Sequence, residues 1–207
     1  MLRKHFYLIL SALFWLMMIV GFADNWLYDV HQPSNSVPKF IVHGLFAFAW
    51  FTIFLVQAAL VRTRNVRLHQ RLGIAGLVIF VGMALSTGYL YLSFFLEKGY
   101  LRPISKMISS QLVFAVVLVA LGYLHRKNNL AQHKTNMLLA NLWLIQPGMD
   151  RWVDHIFPSI FLELWLAVYL LLFAAIMWYY KRVPWQLWVG ALIWLAGLVN
   201  AMASGDF

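Results

Sequence analysis

The sequence predicts an all-α, polytopic transmembrane helix bundle of seven spans, and three observations lead there. Hydrophobic residues make up 63% of the 207 and charged residues only 11%, whereas soluble domains carry roughly a quarter charged residues. The apolar residues fall in runs close to the ~20 that a helix needs to cross a bilayer. The sixteen lysines and arginines gather in the short segments between those runs.

The first run, 6–23, follows the basic start "MLRKH". It is longer than a signal-peptide core and no small-x-small site follows it, so it reads as a retained span. A Pro/Ser/Asn-rich loop, 24–39, holds His31, which reads as an exposed loop histidine. The second span, 40–61, leads through "LVRTRNVRLHQRLG" into the third, 72–96, and the fourth is 106–124. The fifth, 135–149, is the weakest. It is short, carries Asn136, Asn141 and Gln146, and stops at Pro147-Gly148. Such polarity requires that it face protein rather than lipid, because unsatisfied polar groups in hydrocarbon cost several kcal/mol. The sixth and seventh spans are 156–180 and 185–204. Residues 1–207 thus form a single integral-membrane domain.

Charge sets the orientation. Arg3, Lys4, Arg62, Arg64, Arg67, Arg71, Arg126, Lys127, Lys134, Lys181 and Arg182 fall on alternate connections, against Lys39, Lys98, Arg102, Lys106 and Arg151 on the others. The positive-inside rule places the N-terminus in the cytoplasm and the C-terminus outside. The acids Asp24, Asp29, Glu97, Asp150, Asp154 and Asp206 then lie on the outer side. The net charge of +9 is explained by topology and by acidic lipid head groups at the cytoplasmic face, so no nucleic-acid partner is needed. The expected location is the inner (plasma) membrane of a bacterium. Two basic turns, "LHQRLG" and "QHKTNM", open spans three and five at one depth and suggest duplication of a two-helix unit.

This orientation sorts the histidines into an inner layer (His5, His69, His125, His133) and an outer one (His31, His43, His155). There is no cysteine, which excludes thiolate metal sites and a cysteine nucleophile, and no lysine lies well inside a span to form a Schiff base. Walker, dinucleotide-binding, HExxH and GxSxG motifs are also absent. The inner histidines stand among cations, where an anion fits better than a metal dication. His69 and His133 with Arg62 and Arg71 would hold a head group, a quinone oxygen or a haem propionate.

His43 sits about one turn inside span two, where an ionisable side chain is a functional hypothesis by default. Trp50 and Gln57 follow it in heptad register, putting His43 and Gln57 on one face about 21 Å apart. Span four carries the reverse pair, Gln111 outer and His125 inner. Pairing spans two and four would stack His43 on Gln111 and Gln57 on His125. The bland reading of these residues is helix–helix hydrogen bonding. Glu163, inside span six, is expected to be protonated or paired with His43, Arg151 or His155. The stretch "QPGMDRWVDH" reads as an outer loop with an Asp–Arg pair. Were it helical, Asp150 and Asp154 would share a face.

The set His43-Gly44, then "LHQRLG" with His69, Arg71 and Gly73, then His133-Lys134 with Met137, then Arg151, resembles a bacterial family of polytopic membrane proteins of unknown function. The resemblance covers residues 40–155 and implies that His43, His69, His133 and Arg151 define that family. The chain departs from the pattern at Thr135-Asn136. It is also loosely similar to cytochrome-b-type four-helix membrane oxidoreductases. Those holding two haems carry two ligand histidines 14 residues apart on one helix; here that spacing joins His to Gln, which disfavours a two-haem wire.

The leading expectation is therefore membrane redox chemistry through one haem b or a quinone. The cofactor-binding candidates are His43, His69, His133 and His155, with haem pairing His43 with His155 or His69 with His133. The alternative is a zinc-dependent membrane lipid hydrolase using His43, Asp150, Asp154 and His155 near the outer leaflet. The third reading is non-catalytic: a helper that binds another membrane protein or a second copy of itself.

Overall fold

Helix is the only regular structure in the computed structural model, which describes residues 2–27 and 29–205; Asp206 lies outside them. Six of its helices are long and apolar enough to cross a membrane, with mean hydropathy between 1.5 and 2.4. Leu45, Val78, Leu85, Leu171 and Leu192 are each more than 60% exposed along them. Such surfaces are stable against lipid tails and a liability in water.

Contacts divide the chain into two units, Met1–Ser93 and Phe94–Phe207. The first contains α1 (Leu2–Gly21), the short α2 (Asp24–Leu27) and α3 (Pro33–Ser36), α4 (Pro38–Arg62) and most of α5 (Val66–Lys98). Helix α1 packs antiparallel on α4, with Trp15 Nε1 donating to Thr52 Oγ1 at 3.0 Å and Arg62 Nε donating to His5 Nδ1 at 3.3 Å. Helix α5 begins earlier than hydropathy suggests, because Asn65 Oδ1 accepts from the Leu68 N–H and caps it.

Helices α4 and α5 meet along a seam with coiled-coil spacing. Along α4, residues 39, 43, 46, 50, 53 and 57 meet partners at Ser93, Ser86/Thr87, Gly82, Phe80, Gly76 and Gly73. Lipid supplies no hydrophobic drive between helices, so small residues that admit close packing matter most. At Gly82 a Cβ would collide with the Phe46 ring.

The second unit contains α6 (Pro103–His125), α7 (Leu130–Leu144), α8 (Gln146–Ile156), a 3-10 turn (Pro158–Ile160), α9 (Phe161–Tyr180) and α10 (Trp185–Ala203). Prolines 103, 147 and 184 stand at helix starts, where a missing N–H costs least. Helix α7 is capped by Asn129, whose side chain accepts from the Gln132 N–H. Eight of its 15 residues are buried, against three of 25 in α4.

Two expectations need correction here. The fifth apolar segment is helical only to Leu144, since Pro147 has no N–H for the Trp143 carbonyl. At ~1.5 Å per residue α7 is about 22 Å long, short of the ~30 Å hydrocarbon core. Its polar residues are buried in protein, the environment that the sequence demanded. The stretch 146–155, read as a loop, is instead the amphipathic helix α8; Pro147 breaks α7 but is accommodated in the first turn of the next helix.

Candidate functional site

His43 is held by α5. Its Nδ1 lies 3.3 Å from both Ser86 Oγ and Thr87 Oγ1. Each hydroxyl has a single proton, and both go to the Met83 carbonyl, at 2.9 and 2.7 Å, the usual back-bond of Ser and Thr in apolar helices. The hydroxyls therefore turn lone pairs toward the imidazole, so the network assigns the ring proton to Nδ1. Nε2 keeps its lone pair and has no hydrogen-bond partner among the described residues. Gly44 and Gly88, next in sequence to His43 and Thr87, are exposed at the surface of their helices. One and two turns deeper, Phe46 against Gly82 and Trp50 against Phe80 (4.7 Å between centroids) close the seam.

Gln57, at the other end of the same seam, donates to the His69 carbonyl at 3.1 Å. The shared face of His43, Trp50 and Gln57 read from the heptad is thus present, but the partners of His43 and Gln57 are on α5. The His43/Gln111 and Gln57/His125 layers expected from the sequence would each join a residue of the first unit to one of the second. Gln111 is 1% exposed with neither amide atom hydrogen-bonded, and His125 Nδ1 bonds the Leu121 carbonyl of its own helix at 2.7 Å. The hydroxyls of Ser86 and Thr87 were missed because such residues inside apolar helices usually serve only their own backbone.

The remaining predicted residues divide between the units. In the first, half-buried His69 stands in the opening turns of α5, Arg71 is exposed, and Arg62 meets His5. In the second, His133 Nδ1 bonds the Gly122 carbonyl at 2.8 Å, tying the start of α7 to the end of α6. Glu163 is exposed in the first turn of α9, within the apolar span Pro158–Tyr180. Asp154 and His155 are exposed at the end of α8, and Arg151 is half-buried.

Asp150 turns inward and accepts from Trp165 Nε1 at 2.6 Å. Trp165 stacks on Trp194 (5.0 Å) and meets Tyr169 edge-on (5.2 Å), filling the space around the carboxyl. With Asp150 so engaged, no three His, Asp or Glu side chains gather as a metal site among the described residues.

A second polar centre lies where α7 begins and α9 turns into α10. Gln186, 1% exposed, donates through Nε2 to Gln132 Oε1 (2.9 Å) and Asn136 Oδ1 (2.7 Å). A cavity of about 140 Å³ adjoins it. Gln132 and Gln186 gave no motif; their only signal was the uncommon polarity of amides at the ends of apolar runs.

Comparison with family models, curated proteins and solved structures found no match.

Proposed function

We propose that this chain is an integral protein of a bacterial inner membrane that takes part in membrane redox chemistry by receiving a quinol head group at His43. The observation that carries the reading is the imidazole of His43, whose proton is committed to Ser86 and Thr87 and whose Nε2 lone pair is left to accept. A quinol hydroxyl donates to such a nitrogen. The same lone pair fits the iron of a haem b, with the two hydroxyls fixing the ligand's tautomer; a haem would supply one-electron transfer there. Of the other histidines in this unit, His5 bonds Arg62, His31 is an exposed loop residue and His69 opens α5. A quinol asks for a single imidazole and is the better fit.

In this reading the N-terminus is cytoplasmic, and α7 with α8 makes the seventh crossing. Single cysteines introduced at Arg64 and Gln32 of the cysteine-free chain should react with impermeant maleimide from opposite sides of the membrane.

The deciding experiment is solvent extraction and absorption spectroscopy of the detergent-purified protein. Wild type should retain quinone, His43→Ala should lose it, and the Ser86→Ala/Thr87→Ala variant should bind it several-fold less, as about 1 kcal/mol of hydrogen bonding implies. A purified protein with neither extractable quinone nor a Soret band would leave the non-catalytic helper as the reading.

A further inference from the structure

We infer that the cavity at the α7 start and the α9–α10 turn is a binding site for a phosphate group, carried by an anionic lipid or free in solution. Its walls include Gln132, Thr135, Tyr180, Arg182, Trp185 and Gln186, with no carboxylate among the lining residues. At about 140 Å³ it exceeds the ~30 Å³ share of a single water several times over, ample for a phosphate.

The chemistry of the walls is that of a donor site. Because the Gln132 carbonyl accepts from Gln186, the Gln132 amide NH2 remains as a donor. Helix α10 starts at Trp185 after Pro184, and its earliest recorded backbone bonds run from Leu187 and Trp188 to the Pro184 carbonyl. The N–H groups of Trp185 and Gln186 precede them, at the positive end of the helix. Arg182 adds a guanidinium, whose planar fork matches phosphate.

Lys181, between α9 and Arg182, adopts φ 55° and is one of two non-glycine residues with positive φ among those described. It caps the C-terminus of α9, its N–H donating to the Met177 carbonyl at 2.9 Å, and Arg182, Pro184 and Trp185 beyond it border the cavity. The site lies wholly in the second unit and is independent of the reading of His43. The lipid arm rests on the membrane location alone.

The test is native mass spectrometry of the full-length, detergent-solubilised chain. It is titrated separately with phosphatidylglycerol, with diacylglycerol lacking the phosphate, and with inorganic phosphate. Wild type should retain phosphatidylglycerol over diacylglycerol. Arg182→Gln, at an exposed position, should reduce that retention roughly fivefold. Lys134→Gln, also exposed but outside the cavity walls, should leave it unchanged. Retention of inorganic phosphate without phosphatidylglycerol assigns the site to free phosphate and upholds the inference. If neither is retained above diacylglycerol, or if the two variants reduce retention equally, the inference is overturned.

Discussion

Replacing Gly190 by alanine tests whether the second unit is built around Trp143. The indole of Trp143 is 1% exposed and meets Phe173 edge-on at 5.7 Å. A Cβ at position 190 would overlap three atoms of that indole, Cε2, Cζ2 and Nε1. A ring so enclosed has little room to give way, so Gly190→Ala should destabilise by the ~1–3 kcal/mol typical of overpacking. Gly88→Ala makes the same chemical change in α5, where no heavy atom lies within 4 Å of the new methyl. There the helix-propensity gain of about 0.5–1 kcal/mol should prevail, reversing the sign. Sodium dodecyl sulfate titration of the protein in dodecyl maltoside micelles, followed by far-UV circular dichroism, measures both. Adding Trp143→Phe to Gly190→Ala should recover part of the loss, because phenylalanine lacks the fused benzo ring that carries Cζ2 and its smaller ring can shift away. Wild-type stability for Gly190→Ala, or no positive coupling in the double variant, would refute the packing argument.

Other perturbations follow from single contacts. Gln186→Leu leaves the Gln132 and Asn136 carbonyl oxygens without their shared donor and should cost about 1–3 kcal/mol. Thr52→Val removes the acceptor for Trp15 Nε1 and should cost about 1 kcal/mol by the same assay, with a shift in Trp15 fluorescence.

Hydropathy located the six long apolar helices to within a few residues, since burial in lipid is a property of the run as a whole. Their ends obey different physics. Val66–Arg71 is helical despite its charges because Asn65 caps it and long basic side chains tolerate helix. The face of His43, Trp50 and Gln57 was readable from a heptad. Its partner was not, because Ser86 and Thr87 leave no periodic signal and the deciding fact is where their protons go. The second polar centre was least legible: Gln132 and Gln186 meet across 54 positions, a distance no local pattern records.

That separation also bears on how the chain enters the membrane. Asn136 leaves the ribosome 50 residues before its donor Gln186, which at ~5–20 residues per second is an interval of roughly 3 to 10 s. Throughout it, a 15-residue helix carrying Asn136 and Asn141 must be sheltered from lipid without α10. Helix α6, tied to it through His133 and the Gly122 carbonyl, is the neighbour already made. Delivery of α6 and α7 to the bilayer as one hairpin, with α10 closing over them last, is the order of assembly these contacts require.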